Sequence, residues 1–135
     1  HPADLGRGLG GLAAQPAAND RQAHRLSVRR SILARAQRAQ HFDARLFADP
    51  AWDMLLELYA AALGERKLAV SKLAARSGVP MTTALRWIAT LEGEGLVDRI
   101  GDKFDGRRFF LELSRRGRAA MSAYFENLED DTRLL

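Results

Sequence analysis

Residues 70–117 read VSKLAARSGVPMTTALRWIATLEGEGLVDRIGDKFDGRRFFLELSRRG, and this stretch decides the architecture. Ser71 offers a helix cap, Leu73 and Ala74 an inward face, and Ser77-Gly78 a break. Pro80 suits the opening of a second helix, in which Ala84, Ile88 and Leu91 recur at helical spacing and point to a core. Met81, Thr82, Leu85 and Arg86 fall on the outer side, and Gly93 and Gly95 mark its end. Leu96 to Ile100 and Arg107 to Leu113 read as two strands around a loop containing Gly101, Asp102, Asp105 and Gly106. Alternation sends Arg107, Phe109, Leu111 and Leu113 to one side and Arg108, Phe110 and Glu112 to the other.

Upstream, Leu68 to Val70 predicts a brief strand, and Asp49-Pro50 signals the start of a helix with Trp52, Leu55, Leu56, Tyr59 and Leu63 as its buried stripe. Gly64 is expected to end it in the left-handed conformation. Further back, Leu26, Ile32, Leu33, Ala36, Ala39, Phe42 and Leu46 predict one face of a long amphipathic helix. Downstream, Ser114 can cap a last helix carrying Ala120, Met121, Tyr124, Phe125 and Leu128, followed by acidic Glu129, Asp130 and Asp131. His1 to Asn19, rich in Gly, Ala and Pro, has no hydrophobic period.

The expected fold is therefore mostly α with a small β-hairpin: a winged helix-turn-helix with a long N-terminal helix and a C-terminal helix. Its expected parts are a flexible tail at 1–19, an N-terminal helix at 20–47 as a dimerisation arm, the DNA-binding domain at 48–113, and a helix at 114–135 as a second dimer contact.

At 135 residues the chain suits one compact domain with an arm. Hydrophobic residues make up 47%, yet no apolar run approaches the roughly 18 to 20 residues of a membrane span, and the N-terminus lacks the pattern of a secretory signal. The expectation is a cytoplasmic, nucleoid-associated protein with no membrane partner. Absence of cysteine excludes disulfides, cysteine-held zinc, iron–sulfur clusters and thiol nucleophiles. His1, His24 and His41 have no paired carboxylate motif, and no phosphate-cradling loop follows a strand, so neither catalysis nor a metal or cofactor is expected.

A net charge of +4 and a pI near 10.1 favour polyanionic partners. The charge is concentrated. From Arg99 to Arg118 there are seven basic residues (Arg99, Lys103, Arg107, Arg108, Arg115, Arg116, Arg118) against Asp102, Asp105 and Glu112. A second run, Arg21, Arg25, Arg29, Arg30, Arg35 and Arg38, holds no acid and reads equally as a solvated helix face or a DNA contact.

Short helix, tight turn, second helix and basic hairpin is the order needed to present one helix to a major groove and a loop to the backbone or minor groove. Leu73-Ala74, Gly78-Val79, Thr82-Thr83, Arg86, Leu91-Glu92 and Gly95-Leu96-Val97, with Asp105-Gly106-Arg107, Leu113-Ser114 and Gly117 in the wing, resemble the multiple-antibiotic-resistance regulator (MarR) family of winged-helix transcription factors. The resemblance covers about Pro50 to Phe125. It implies a sequence-specific double-stranded DNA-binding regulator, with a small-molecule effector as a common addition. The apolar stripe of the first helix has little surface within the domain to cover it, which predicts a homodimer on a pseudo-palindromic site.

The DNA-contacting set expected is Ser71, Met81, Thr82, Thr83, Leu85, Arg86, Arg99, Lys103, Asp105, Arg107 and Arg108. Arg107 can enter a narrow minor groove, with Asp105 orienting its guanidinium through paired hydrogen bonds. Arg86 can reach a guanine edge or a phosphate, and Thr82 the backbone. Leu85 can touch a thymine methyl or lean into the core, and Trp87 is read as core. The competing function is a winged-helix module that binds another protein without touching DNA.

Overall fold

The computed structural model describes residues 18–38, 40–42 and 49–134. Among these residues, five helices and three strands run α1 (Ala18–Arg38), α2 (Ala51–Leu63), β1 (Leu68–Ala69), α3 (Val70–Ser77), α4 (Met81–Gly93), β2 (Val97–Gly101), β3 (Phe109–Leu113) and α5 (Arg115–Leu134). Positions 1–17, 39 and 43–48, with Ala39 and Leu46 of the expected apolar stripe, lie outside the described residues, and Ala18 and Asn19, expected in the tail, open α1 instead.

The sheet is antiparallel in the order β1-β3-β2. Val97 faces Leu113 and Gly101 faces Phe109 across the hairpin, while Leu68 pairs with Leu111 and Ala69 with Phe110 on the other edge of β3. Leu111 and Leu113 are buried, as strand alternation requires, and they meet Met54, Leu56, Tyr59, Leu73, Ala84, Ile88, Met121 and Phe125 in one core. Trp87 is half-buried against that core, as expected.

Asp49 accepts the Ala51 amide at 2.8 Å, the start signal read in the sequence. The other end of α2 differs from expectation. Gly64 sits at φ −93°, and Glu65 takes the left-handed conformation at φ 57°. Gly64 donates its amide to the Ala60 and Ala61 carbonyls and Arg66 donates to Ala61, so the reversal falls one residue later than expected. Helix α3 begins at Val70 after Ala69 in extended conformation, with no side-chain cap. Ser71 is thus an exposed residue of the first turn and not the cap, because β1 runs straight into the helix.

Helix α1 also departs from its reading. It ends at Arg38, and the Gln40 amide closes a turn onto the Gln37 carbonyl at 3.0 Å, so Gln40 to Phe42 are not helical and the expected helix to Phe47 is too long. Its apolar residues do not share one face. Val28 is buried and Ile32 packs on the core, while Leu26 and Leu33 remain 49% and 56% exposed. The inward stripe is completed by His24, which is 2% exposed. The Tyr59 hydroxyl lies 2.9 Å from its Nδ1 and Glu129 Oε1 lies 3.7 Å from its Nε2, while the Ser27 hydroxyl donates to Glu129 at 2.8 Å. The carboxylate that the sequence did not show beside His24 is supplied by the other end of the chain.

Candidate nucleic-acid interface

The helix-turn-helix rests on one glycine. Gly78 takes φ 69° after the last residue of α3, and Val79 returns its amide to the Ala74 carbonyl at 3.2 Å. Pro80, extended and without an amide, starts α4 at once. Ala84, Ile88 and Leu91 bury one side of α4, which leaves Met81, Thr82, Leu85 and Arg86 exposed and Thr83 half-buried.

Leu85 is 39% and Met81 44% exposed, which decides the open reading of Leu85 in favour of the surface. Met81 and Leu85 join Ser71, Val70 and Ala69 on one wall of a cleft of about 300 Å³, and Arg107, Arg108 and Phe109 form the opposite wall. Five residues proposed from sequence, Ser71, Met81, Leu85, Arg107 and Arg108, are therefore brought together between α4 and the wing. Thr82 and Arg86 stand exposed on the same helix outside the cleft, and Lys103 is exposed on the wing.

The wing loop is built on two aspartates. Asp102 Oδ1 accepts the Phe104 amide at 2.8 Å and the Asp105 amide at 3.3 Å, and Asp105 Oδ1 accepts the Arg107 amide at 3.0 Å. Asp102 and Arg108 close the base of the loop through an amide-to-carbonyl bond of 3.2 Å. Arg107 Nε reaches the same Asp105 Oδ1 at 3.4 Å, and its side chain is 92% exposed. The expected paired hydrogen bonds between this carboxylate and the guanidinium are absent, since one oxygen serves both the amide and Nε. Asp105 shapes the loop more than it holds the arginine head.

Arg99 is exposed and also has partners within the fold. Its Nε donates to Glu92 at 2.8 Å and its guanidinium carbon lies 4.4 Å over the Phe109 ring, tying β2 to the end of α4. Arg108 lies 3.8 Å from Asp102 Oδ2 and over the Phe110 ring at 5.5 Å. Each aromatic residue of β3 is thus covered by an arginine.

The residue that the sequence reading passed over is Phe104. It is 97% exposed at the tip of the wing, between Lys103 and the Asp105–Arg107 turn. The available signal was a lone aromatic inside a run of turn formers and charges, where no core position exists for it.

Residues 55–101, from within α2 to the end of β2, match the IclR helix-turn-helix domain. Among solved structures, MepR from S. aureus in its DNA-binding conformation is 20% identical over 78% of this chain and 78% of its own, with a TM-score of 0.52. The transcriptional regulator PA4135 is 15% identical over 88% and 81%, with a TM-score of 0.53. The transcriptional regulator Tm0710 from Thermotoga maritima is 24% identical over 63% and 59%, with a TM-score of 0.50. No curated protein matches the chain by sequence. The fold is that of winged helix-turn-helix regulators, and with its helix-turn-helix domain the chain falls in the class of DNA-binding transcriptional regulators.

Proposed function

We propose that the protein binds duplex DNA sequence-specifically as a homodimer, with α4 in the major groove and the wing on the backbone and minor groove. The observation that carries this reading is the convergence of Met81, Leu85, Ser71, Arg107 and Arg108 on one cleft, beside the exposed Thr82 and Arg86. Exposed methyl and thioether groups next to guanidiniums suit a groove edge, where thymine methyls and phosphates alternate. Arg107 extends into the minor groove, while Arg99 supports the wing from within and Asp105 sets its turn.

Phe104 belongs to the same face. A fully exposed phenyl ring on a hydrogen-bonded turn, flanked by Lys103 and Arg107, has the character of the apolar wedges that minor-groove proteins insert at a base step. The dimer follows from a second surface: Leu26 and Leu33 on α1 and Tyr124 and Leu128 on α5 are exposed, and the two helices are joined through Ser27 and Glu129. Asp105, Arg107, Leu113, Ser114 and Gly117 support a MarR-like assignment within the class, and a cytoplasmic setting and a small-molecule effector belong to that reading.

Selection of bound duplexes from a randomised pool, followed by hydroxyl-radical footprinting, tests it. The expected result is one enriched site with two related halves about one helical turn apart. A pool that stays unenriched, with binding to a protein partner through the wing, supports the interaction-module alternative instead.

A further inference from the structure

The exposed residues of α4 fall in two parallel rows. Met81, Leu85 and Ala89 stand four residues apart, and beside them Thr82, Arg86 and Thr90 repeat the same spacing. One row is apolar and the other polar. Met81 and Leu85 share a cleft with Arg107 and Arg108 of the wing, whereas Thr82 and Arg86 lie outside it.

Met81 and Leu85, 44% and 39% exposed, keep much of their apolar surface in water, while the core side of α4 is filled by Ala84, Ile88 and Leu91. Guanidiniums border the apolar row, Arg86 beside it and Arg107 and Arg108 across the cleft, so the surface that covers it is a polyanion that also presents apolar groups. A major groove meets that description where it holds thymine, because the 5-methyl is the one apolar group that the four ordinary bases present on that edge.

The polar row fits the rest of the same base pair. Beside the methyl, thymine presents its O4 acceptor and adenine its N7 acceptor, and the Thr82 hydroxyl and Arg86 guanidinium are donors. The Thr90 hydroxyl donates to the Arg86 carbonyl at 3.1 Å and so closes on its own helix. Four residues of helix advance about 6 Å, close to two base-pair steps, so Met81 and Leu85 each meet a different pair.

We propose, on the reading that places α4 in the major groove, that the protein selects its sites through thymine 5-methyl groups. Met81 and Leu85 are the specificity-determining residues, and they read two thymines about two steps apart in each half-site. Deoxyuridine in place of thymine keeps every hydrogen-bonding group of the base and removes only the methyl.

Fluorescence-anisotropy titration of a duplex selected from the randomised pool, and of the same duplex synthesised with deoxyuridine for thymine, tests the assignment with the full chain and with Met81→Ala/Leu85→Ala. Losing one buried methyl weakens binding roughly fourfold, so the parent should bind the deoxyuridine duplex about tenfold or more weakly. The double variant, without the groups that touch the methyls, should bind the two duplexes alike. Circular dichroism melts establish that it folds, and Leu85→Gln, which keeps the helix propensity of leucine, should narrow the same gap should the double variant melt early. Equal affinity of the parent for both duplexes overturns the assignment and leaves DNA binding standing. An equal loss in parent and variants traces the methyl effect to the stiffness of the duplex and overturns it too. A parent that binds no selected duplex overturns the DNA-binding reading itself, and the methyl assignment with it.

Discussion

The Ser114 hydroxyl donates to the Gly95 carbonyl at 2.6 Å, and this bond fastens the start of the last helix to the turn that follows α4. The same oxygen accepts the Gly117 amide at 3.0 Å, and the Ser114 amide donates to the Leu96 carbonyl at 2.9 Å. One residue therefore caps α5, closes the hairpin and fixes where β2 departs from α4. Ser114→Ala removes a helix cap together with a tertiary hydrogen bond, and a loss of about 1 to 2 kcal/mol is expected. Chemical denaturation should show a lower midpoint with an unchanged slope.

Gly117 packs even more closely on this junction. A Cβ there would lie 2.2 Å from the Leu96 carbonyl oxygen and 3.3 Å from Leu113 Cδ2, and the oxygen belongs to backbone that is already bonded to Ser114. Gly117→Ala should cost about 1 to 3 kcal/mol by forcing α5 off the hairpin, more than the alanine gains in helix propensity. A thermal melt no lower than the parent's would show that the helix can move freely, contrary to this geometry.

Burial raises the Glu57 carboxyl above its usual value, while Arg76, 3.7 Å away, pulls in the opposite direction and only partly offsets it. A carboxyl raised in the folded state stabilises the fold fully below its unfolded value near 4.5 and loses that contribution as pH rises through the folded value. Relative to Glu57→Gln, the parent should thus be at its most favourable in acid and decline through the weakly acidic range. Paired melts from about pH 4 upward at about one-unit steps check the sign; a difference that grows with pH contradicts it.

Phe104 is exposed to solvent on almost its whole surface, so its loss should leave the melting temperature unchanged. Phe104→Ala is expected to weaken specific binding about tenfold and to reduce the bend of the bound duplex, read by energy transfer between end labels. An unchanged bend and affinity would remove the ring from the interface.

Much of this was legible in the sequence. Gly78, Pro80 and the Ala84, Ile88, Leu91 spacing located α4 because each acts locally, through φ, a missing amide or a helical period. What escaped were relations between distant positions. His24 is satisfied by Tyr59 on the next helix and by Glu129 on the last one, and no local pattern announces such partners. The partners of Arg99 inside the fold, Glu92 on α4 and Phe109 on β3, are likewise brought to it only when the hairpin closes. The apolar residues of α1 divide between a buried and an exposed side because Leu26 and Val28 lie nearly opposite on the helix.

The central claim, that α4 and the wing form one DNA surface, is tested most directly by fluorescence-anisotropy titration of a selected duplex at two salt concentrations, comparing the parent with Arg86→Ala/Arg107→Ala. The account predicts salt-sensitive binding by the parent and a loss of about a hundredfold or more in the variant, with both melting alike. Equal affinity in parent and variant, or no binding by the parent at low salt, would contradict it.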